Sequence, residues 1–357
     1  MRSTFLAVAA MTAATVAGTF FATTRADACA GLIGSNGAVN LGRTTTLAAY
    51  HNGDEHYVTS FEFSGTGGGE FGTLIPLPGI PSNVERGGAC TLQRLQLETQ
   101  NKELFFAPAA SRAGALADGA EVLIEKKIDA LDITVLRGGG PDVAVWAEQH
   151  GFRLSPDAPE VLDFYAQRSP IFLAAVFDGE AAAERGQQAG DGTPVHLTIP
   201  TDNPWVPLRI LGLGKQDKDF VQADVFLLTD QEPNILPGLK RGLTLDHSDR
   251  ATDLLLSDLR SDEGMSWVPE KAWLTKIGIN SRVEDLTFDL AVDADGKGRP
   301  SEVAAGLEPP SQSISSAGAT DAGGDPGRNI AVLIAISLGL FGAGVAVAKW
   351  NPAGKAR

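Results

Sequence analysis

Cysteine and positive charge are both scarce in this chain. Only two of its 357 residues are cysteines, and 29 lysines and arginines stand against 44 aspartates and glutamates, for a net charge of −15. A surface so acidic repels phosphate backbones, which argues against nucleic acid as a partner. The same acidity favours solubility, so it is not by itself a sign of a cation site.

Familiar catalytic and cofactor motifs are missing as well. The chain has no HExxH metal motif, and Ser35 in the stretch IGSNG lacks the glycine spacing of a nucleophile elbow. The glycines of residues 64–79 do not form a dinucleotide fingerprint, because Glu70 stands where the last glycine should be and no helix pattern follows. The sequence therefore predicts no catalytic residue, no cofactor site and no metal site.

The first residues have the pattern of a secretory signal peptide. A basic start is followed by a mostly apolar run, and Ala26 and Ala28 form an A-x-A cleavage site. This pattern predicts that residues 1–28 are removed. Cleavage after Ala30 also fits the sequence and would discard Cys29.

The C-terminal part predicts a membrane anchor. Residues 330–348 are nineteen residues with Ser337 as the only polar side chain, long enough to cross a hydrocarbon core of about 30 Å. We assign the transmembrane helix to 329–349 and a cytoplasmic tail to 350–357, because basic residues follow the apolar run. With the signal peptide, this predicts a single-pass protein of the cell membrane whose large N-terminal part lies outside the cytoplasm.

Two features describe how the exported part is held at the membrane. In residues 308–328, fourteen of twenty-one residues are Ser, Gly, Ala or Pro, which predicts a flexible tether with a root-mean-square span of about 25 Å. Ala335, Gly339 and Ala343 recur at four-residue spacing within the anchor. Such small residues let two helices approach closely, so a weak homodimer stays open.

Cys29 and Cys90 are predicted to form a structural disulfide. Disulfides are typical of exported proteins, and a bridge that closes a loop of about sixty residues would stabilise the fold by about 4 kcal/mol on the chain-entropy estimate. A bonded pair is not available as a nucleophile. We therefore interpret the two cysteines as a cross-link and not as chemistry.

Residues 50–57, YHNGDEHY, raise the question of a metal site. The runs 44–50 and 57–63 are both β-prone, and Asn52-Gly53 between them is a strong hairpin signal. Four candidate ligands then fall at the hairpin tip: His51, Asp54, Glu55 and His56. Solvated side chains at a turn need no ion, so we favour a turn over a metal site.

The remaining pattern mixes strands and helices. Further strands are predicted at 71–77, 122–136, 171–177, 195–200, 205–214, 223–229 and 286–292. Helices are predicted at 141–150, 158–168 and 249–260. This pattern predicts an α+β fold, with antiparallel, hairpin-rich sheet in residues 29–120 and mixed helix and strand in residues 121–307. Whether these two parts form one domain or two stays open.

Three other polar sites have structural explanations. His150 lies in the last turn of a predicted helix, where it complements the helix dipole. The acidic stretch around His247 is typical of a helix N-terminal cap. The segment from Asp293 imitates a calcium loop, but Lys297 replaces one ligand and Ala304 stands in place of the bidentate glutamate.

Residues 128–177 resemble a family of exported bacterial proteins known as a domain of unknown function. The matching positions are Pro76 and Pro78 of a Pro-x-Pro strand, Asp132 and 134–136 of a D-x-T-V-L motif, Trp146 in a helix, the turn GFRLSP, Tyr165 and Phe172. The resemblance extends over most of residues 29–230. It departs from the family at Phe152, where tyrosine is usual, and in having a single cysteine at the mature start. It implies an exported, anchored protein and supplies no catalytic residues.

Three functions are compatible with these observations. The first is a non-catalytic binding or structural module at the cell surface, with a protein partner there. The second is an exported hydrolase that uses some of the five histidines with a carboxylate, since a triad assembled only in three dimensions leaves no sequence motif. The third is a divalent-cation-binding protein. We favour the first, because the anchor and tether are clear and no catalytic motif is present.

Overall fold

The structure is a computed structural model that describes residues 31–34, 37–38, 43–62, 71–100, 120–187 and 192–310. The predicted signal peptide, transmembrane helix and cytoplasmic tail lie outside the described residues, and so does Cys29. The predicted tether does so from residue 311 onward. Within the described residues, no helix is long and apolar enough to span a membrane.

The described residues form runs of strands with a few helices between them, as in a mixed α+β protein. The strands are β1 (Gly31–Gly34), β2 (Gly37–Ala38), β3 (Arg43–His51), β4 (Asp54–Glu62), β5 (Phe71–Pro76), β6 (Asn83–Arg86), β7 (Glu121–Ile128), β8 (Leu131–Arg137), β9 (Ile171–Phe177), β10 (Gly192–Pro200), β11 (Trp205–Val206), β12 (Phe220–Thr229), β13 (Asn234–Leu236), β14 (Leu243–Arg250), β15 (Trp273–Arg282) and β16 (Leu290–Asp293). The α-helices are α1 (Thr91–Thr99), α2 (Gly140–Gln149), α3 (Ala158–Ala166), α4 (Gly179–Glu184) and α5 (Asp253–Ser261). Short 3₁₀ helices occupy Arg209–Gly212 and Val283–Asp285.

The strands form three sheets. Sheet A has the order β14-β15-β12-β3-β4-β10-β6, sheet B the order β2-β1-β5-β9-β8-β7, and sheet C the order β11-β16-β13. Strands β3 and β12 pair in parallel, and the other described pairs are antiparallel. Sheets A and B each contain strands from both predicted parts of the exported region, and the described residues through Pro310 belong to one compact unit.

Apolar side chains define four layers. Sheets A and B pack face to face through a core that includes Tyr57, Leu173 and Ile277. The other face of sheet B is covered by α2 and α3, with Trp146 in that core. The other face of sheet A, called here the outer face, is covered by α1 and α5 through a cluster that includes Phe226. Strand β9 reads IFLAAVF without polar interruption because it is buried on both faces.

Several local predictions are confirmed. The hairpin forms as β3 and β4 with a two-residue turn, in which Asn52 and Gly53 have positive φ angles of 54° and 88°. Such backbone angles are why Asn-Gly marks this turn. Strand β9 spans residues 171–177 as predicted, and both middle helices are present.

Other local predictions are wrong. Residues 205–214 form a two-residue strand and a 3₁₀ turn in place of one long strand, because the amides of Leu208 and Arg209 bind the buried carboxylate of Asp289. The helix predicted at 249–260 is present as α5, but it begins only after Thr252, whose hydroxyl accepts from the Leu255 amide, because Asp249 and Arg250 belong to β14. Helix α1 and strand β15 were not predicted.

Candidate functional site

The β3–β4 hairpin places two histidines on the outer face of sheet A. In the hairpin register Ala49 lies opposite His56, and His51 lies opposite Asp54. Side chains alternate between faces along a strand, and Ala49 and Val58 belong to the outer-face cluster. His51 and His56 therefore lie on that same face, as diagonal neighbours at the edge of the cluster.

A hydrogen-bonded chain of three side chains crosses neighbouring strands. His56 Nδ1 lies 2.9 Å from His196 Nε2, and His196 Nδ1 lies 3.0 Å from Glu85 Oε1. The sheet order makes this possible, because His196 of β10 pairs with Glu85 of β6 on one side and lies diagonal to His56 of β4 on the other. His196 is 1% exposed, whereas the Glu85 side chain is 40% exposed. The chain therefore runs from a solvated carboxylate into the protein.

Trp267 covers both imidazoles. Its ring centroid lies 4.0 Å from that of His56 with an interplanar angle of 3°, and 5.0 Å from that of His196 with an angle of 22°. Trp267 belongs to the loop between α5 and β15. Its indole Nε1 is buried without a hydrogen-bond partner, so the ring is held by stacking and packing and not by its polar atom.

The contacts define where the protons of the neutral rings reside. An ionised carboxylate only accepts hydrogen bonds, so His196 Nδ1 donates to Glu85 and His196 Nε2 accepts from His56 Nδ1. His56 Nε2 is left with a lone pair. None of the described hydrogen bonds uses that atom.

The surroundings of the pair favour neutral rings. Burial lowers the pKa of His56 to about 4, and the charges of His196 and His51 act in the same direction. Burial also lowers the pKa of His196, opposed by the hydrogen bond and charge of Glu85. His56 is therefore neutral at pH 7.

His51 has its own carboxylate partner. Its Nδ1 lies 2.7 Å from Asp230 Oδ1, and the two side chains are 32% and 45% exposed. Thr229, the last residue of β12, pairs with Tyr50 of β3, which brings Asp230 level with His51. We call His51, His56, Glu85, His196 and Asp230, together with Trp267, the histidine cluster.

Glu55 lies on the opposite face of sheet A from the histidine cluster. It is 1% exposed and lines a small cavity with Tyr50, Val206 and Val292. Burial raises the pKa of Glu55 to about 8; the Trp205 amide opposes this shift, but neither carboxyl oxygen has a hydrogen bond of normal geometry. Glu55 is therefore largely protonated at pH 7.

These positions correct the prediction that all four polar residues lie at a solvated hairpin tip. His51 and Asp54 are partly exposed near the turn, as predicted, but Glu55 is buried and His56 is half-buried. Glu55 shares the inner face with Tyr57 because residues two apart in β4 point the same way. The strand pleat, and not the turn, decides the environment of both residues.

Sequence reasoning missed His196, Glu85 and Trp267 as members of one site. His196 is the polar residue in the apolar strand VHLTIP, and such an interruption is a signal that could have drawn attention to it. Its partners lie 140 and 111 residues away in the chain, at His56 and Glu85. No local pattern connects residues so far apart.

The other predicted polar sites are structural. His150 caps the C-terminal end of α2, and its Nδ1 lies 2.8 Å from the Trp146 carbonyl oxygen. His247 belongs to β14 and not to a helix cap. Asp293 accepts a hydrogen bond from the Gly298 amide at 2.8 Å and closes a turn. In the part of the chain that the structure describes, no group of three or more His, Cys, Asp or Glu side chains is arranged to hold a metal ion.

Cys90 is exposed at the N-terminal end of α1, where its thiol is free in the structure and its amide donates to Asp262 Oδ2 at 2.8 Å. The partner of the predicted bridge, Cys29, lies outside the described residues. The disulfide therefore stays a prediction.

The fold and the site define a mixed α+β protein with two facing sheets and a histidine cluster on the outer face of one of them. The chain belongs to a bacterial family described as "uncharacterized protein conserved in bacteria" (DUF2330), whose model matches residues 24–231, more than half of the chain. The match includes every member of the histidine cluster except Trp267. The resemblance to a bacterial domain of unknown function is thereby confirmed.

The chain is only weakly similar to the solved structures that it matches. The chain is similar to a mutated baculovirus P35 after caspase cleavage, at 8% identity and a TM-score of 0.39, over 71% of this chain and 100% of the other. It is also similar to baculovirus P35, at 10% identity and a TM-score of 0.35, over 72% of this chain and 93% of the other. A comparison with curated proteins finds no match.

Proposed function

We propose that this chain is an exported, membrane-tethered bacterial protein whose folded part is a non-catalytic binding or structural module. The signal-peptide pattern, the apolar span at 330–348 and the basic residues after it support the placement. The tether at 308–328 supports a folded part that reaches away from the membrane toward a partner at the cell surface.

The contacts of the histidine cluster favour a binding module over a hydrolase. In a hydrolase, a histidine activates a hydroxyl or thiol within hydrogen-bond reach. Here the described contacts of the ring nitrogens of His51, His56 and His196 go to carboxylates or to another imidazole. Contacts of this kind fix ring orientation, which is what a site that holds a ligand requires.

The hydrolase alternative rests on one observation. A lone pair at His56 Nε2, at the end of a carboxylate–imidazole chain, has the electronic arrangement of a general base. Such a base could act on water directly. Incubating the full-length protein with chromogenic ester, phosphate and glycoside substrates tests this. Turnover that disappears in His56→Gln would replace the proposal by an enzyme, and activity equal in both proteins would be attributed to contaminants.

The placement is tested by protease accessibility. A full-length protein with an epitope tag after Arg357 is expressed in cells with a permeable outer envelope and treated with a non-permeant protease. We expect cleavage in 308–328, release of the folded part, and a protected C-terminal fragment. A folded part that stays intact until the membrane is lysed would contradict export.

The weak homodimer is tested on the same full-length protein. Cross-linking in membranes should give a dimer that is reduced when Gly339 is replaced by Leu, because a bulky residue separates two closely packed helices. A Leu338→Ile control leaves the small-residue face unchanged. Equal dimer in both variants, or none in the parent, would remove the anchor as an association surface.

A further inference from the structure

We propose that His51 and His56 bind a transition-metal ion of the zinc(II) or copper(II) class at the tip of the β3–β4 hairpin. The inference deepens the proposed function, because it names the ligand that the module would hold. It rests on the geometry of the histidine cluster and not on the presence of two histidines in the sequence.

The two rings lie on the same face of the hairpin, on neighbouring strands. His51 and His56 occupy diagonal positions on one face of a two-stranded turn, beside the pairs Ala49–His56 and His51–Asp54. Diagonal neighbours on a sheet face are close enough for long or ring-shaped side chains to meet. The two-residue turn fixes the register that makes them diagonal neighbours.

Each ring has its Nδ1 engaged in a hydrogen bond, and the described contacts leave its Nε2 without one. His51 Nδ1 bonds Asp230 at 2.7 Å, and His56 Nδ1 bonds His196 at 2.9 Å. His196 in turn bonds Glu85 at 3.0 Å, so each Nε2 lone pair is backed by a carboxylate, directly or through one imidazole. Metal-binding histidines show this arrangement, in which a second group fixes the tautomer and raises the basicity of the ligating nitrogen.

Trp267 restrains the orientation of the His56 ring. It stacks on His56 at 4.0 Å with nearly parallel planes, so the imidazole is held in one orientation before any ligand binds. His51, 32% exposed, leaves the opposite side open to solvent. An ion can therefore enter from the hairpin tip without opening the core.

The donor set selects the class of ion. Imidazole nitrogens suit zinc, copper and nickel, whereas calcium and magnesium take oxygen ligands. Two protein ligands are fewer than the four of a structural zinc site, and the described residues contain no complete group of three. The remaining coordination positions would be filled by water, so we expect an exchangeable ion and not a structural one.

The test is zinc binding to the full-length protein, purified in detergent without a histidine tag and stripped with a chelator. Isothermal titration with zinc chloride is expected to show one site per chain. His51→Gln and His56→Gln should each weaken binding at least about tenfold, because each removes one of two ligands. His247→Gln is the matched control: it lies on β14, three strands from β3 in sheet A, and should leave binding unchanged.

A second pair of variants tests the supporting carboxylates. Asp230→Asn and Glu85→Gln leave both imidazoles in place but weaken their orientation, and should lower zinc affinity by about 10- to 100-fold. Cobalt(II), used as a spectroscopic substitute, should show a visible absorption band that changes in position in these variants. A merely structural role for the carboxylates would not move that band.

The outcomes separate this inference from the proposed function. Zinc that binds equally to the parent and to both hairpin variants, or that does not bind at all, would overturn the metal site. If His56→Gln fails to fold, the zinc affinity of His51→Gln decides the question, because His51 is partly exposed and its replacement should not prevent folding. Export and tethering are decided by the protease experiment, which does not depend on any metal.

Discussion

Glu55 and His56 are consecutive residues of β4, lie on opposite faces of sheet A, and have pKa values shifted in opposite directions, to about 8 and to about 4. The same cause, loss of water around the charged form, raises the pKa of the acid and lowers that of the base. Both side chains are therefore mainly neutral at pH 7. The stability of the protein should respond to pH with opposite signs at these two positions.

Replacing Glu55 by Gln should stabilise the metal-free protein above pH 4.5. The folded protein keeps the Glu55 proton up to a pKa of about 8, whereas the unfolded chain releases it near 4.5. The unfolded state thus binds fewer protons, and stability falls by about 1.4 kcal/mol per pH unit across that window. Urea unfolding from pH 4 to pH 9 with a chelator present should show this fall in the parent relative to Glu55→Gln. Parallel curves for the two proteins would show that Glu55 is ionised when folded.

Replacing His56 by Gln should remove a loss of stability in acid. The unfolded imidazole takes up a proton at about pH 6.5, but the folded one does so only near pH 4. The contribution of this group to the free energy of unfolding is complete above pH 6.5. It is lost as the pH falls toward 4, by about 1.4 kcal/mol per pH unit. The same urea experiment should give a difference between parent and variant that is constant above pH 6.5 and changes only below it. A difference that changes above pH 6.5 would contradict the assignment.

Trp267→Phe should cost little stability, and Trp267→Ala should cost more. Phenylalanine keeps a ring over the two imidazoles and removes the buried, unpartnered indole Nε1, so we expect a change within about 1 kcal/mol. Alanine removes the ring and leaves a void, for a loss of about 2 kcal/mol or more. Thermal unfolding of both variants measures the difference. Equal losses would mean that the ring retained by phenylalanine contributes nothing, which would contradict a stabilising role for stacking on the two imidazoles.

Asp289→Asn should be strongly destabilising. The carboxylate is fully buried and accepts from the Tyr165 hydroxyl at 2.9 Å, the Leu208 amide at 2.7 Å and the Arg168 guanidinium at 2.5 Å. Removing the charge leaves Arg168 buried without its counter-ion, for which we expect a loss of about 3–5 kcal/mol. The exposed Asp285→Asn is the matched control and should be near neutral. Similar midpoints of urea unfolding for both variants would exclude a structural role for this network.

The predicted disulfide has a direct test. Peptide mapping of protein isolated from membranes without reduction should give a linked peptide that contains Cys29 and Cys90, two hydrogens lighter than the separate peptides. Cys90→Ser should then lower stability by about 4 kcal/mol under oxidising conditions and change nothing under reducing ones. Alkylation of Cys90 before any reduction would show that the thiol is free.

Local signals in the chain account for several elements of the fold. Asn52 and Gly53 specify the β3–β4 turn because they tolerate positive φ angles. The apolar run at 171–177 specifies a buried strand, and Pro141 with Gly151 marks the ends of α2. Each of these signals lies within a few residues of the structure that it produces.

The surroundings of the hairpin depend on long-range strand pairing. The pleat of β4 buries Glu55 on the inner face of sheet A and sets His56 against Trp267 on the outer face, although the local pattern predicts a solvated tip for both. The pairing of β10 with β4 and β6 brought His196 between His56 and Glu85. Contacts between residues more than a hundred positions apart depend on strand order and register, and no local pattern of side chains encodes these.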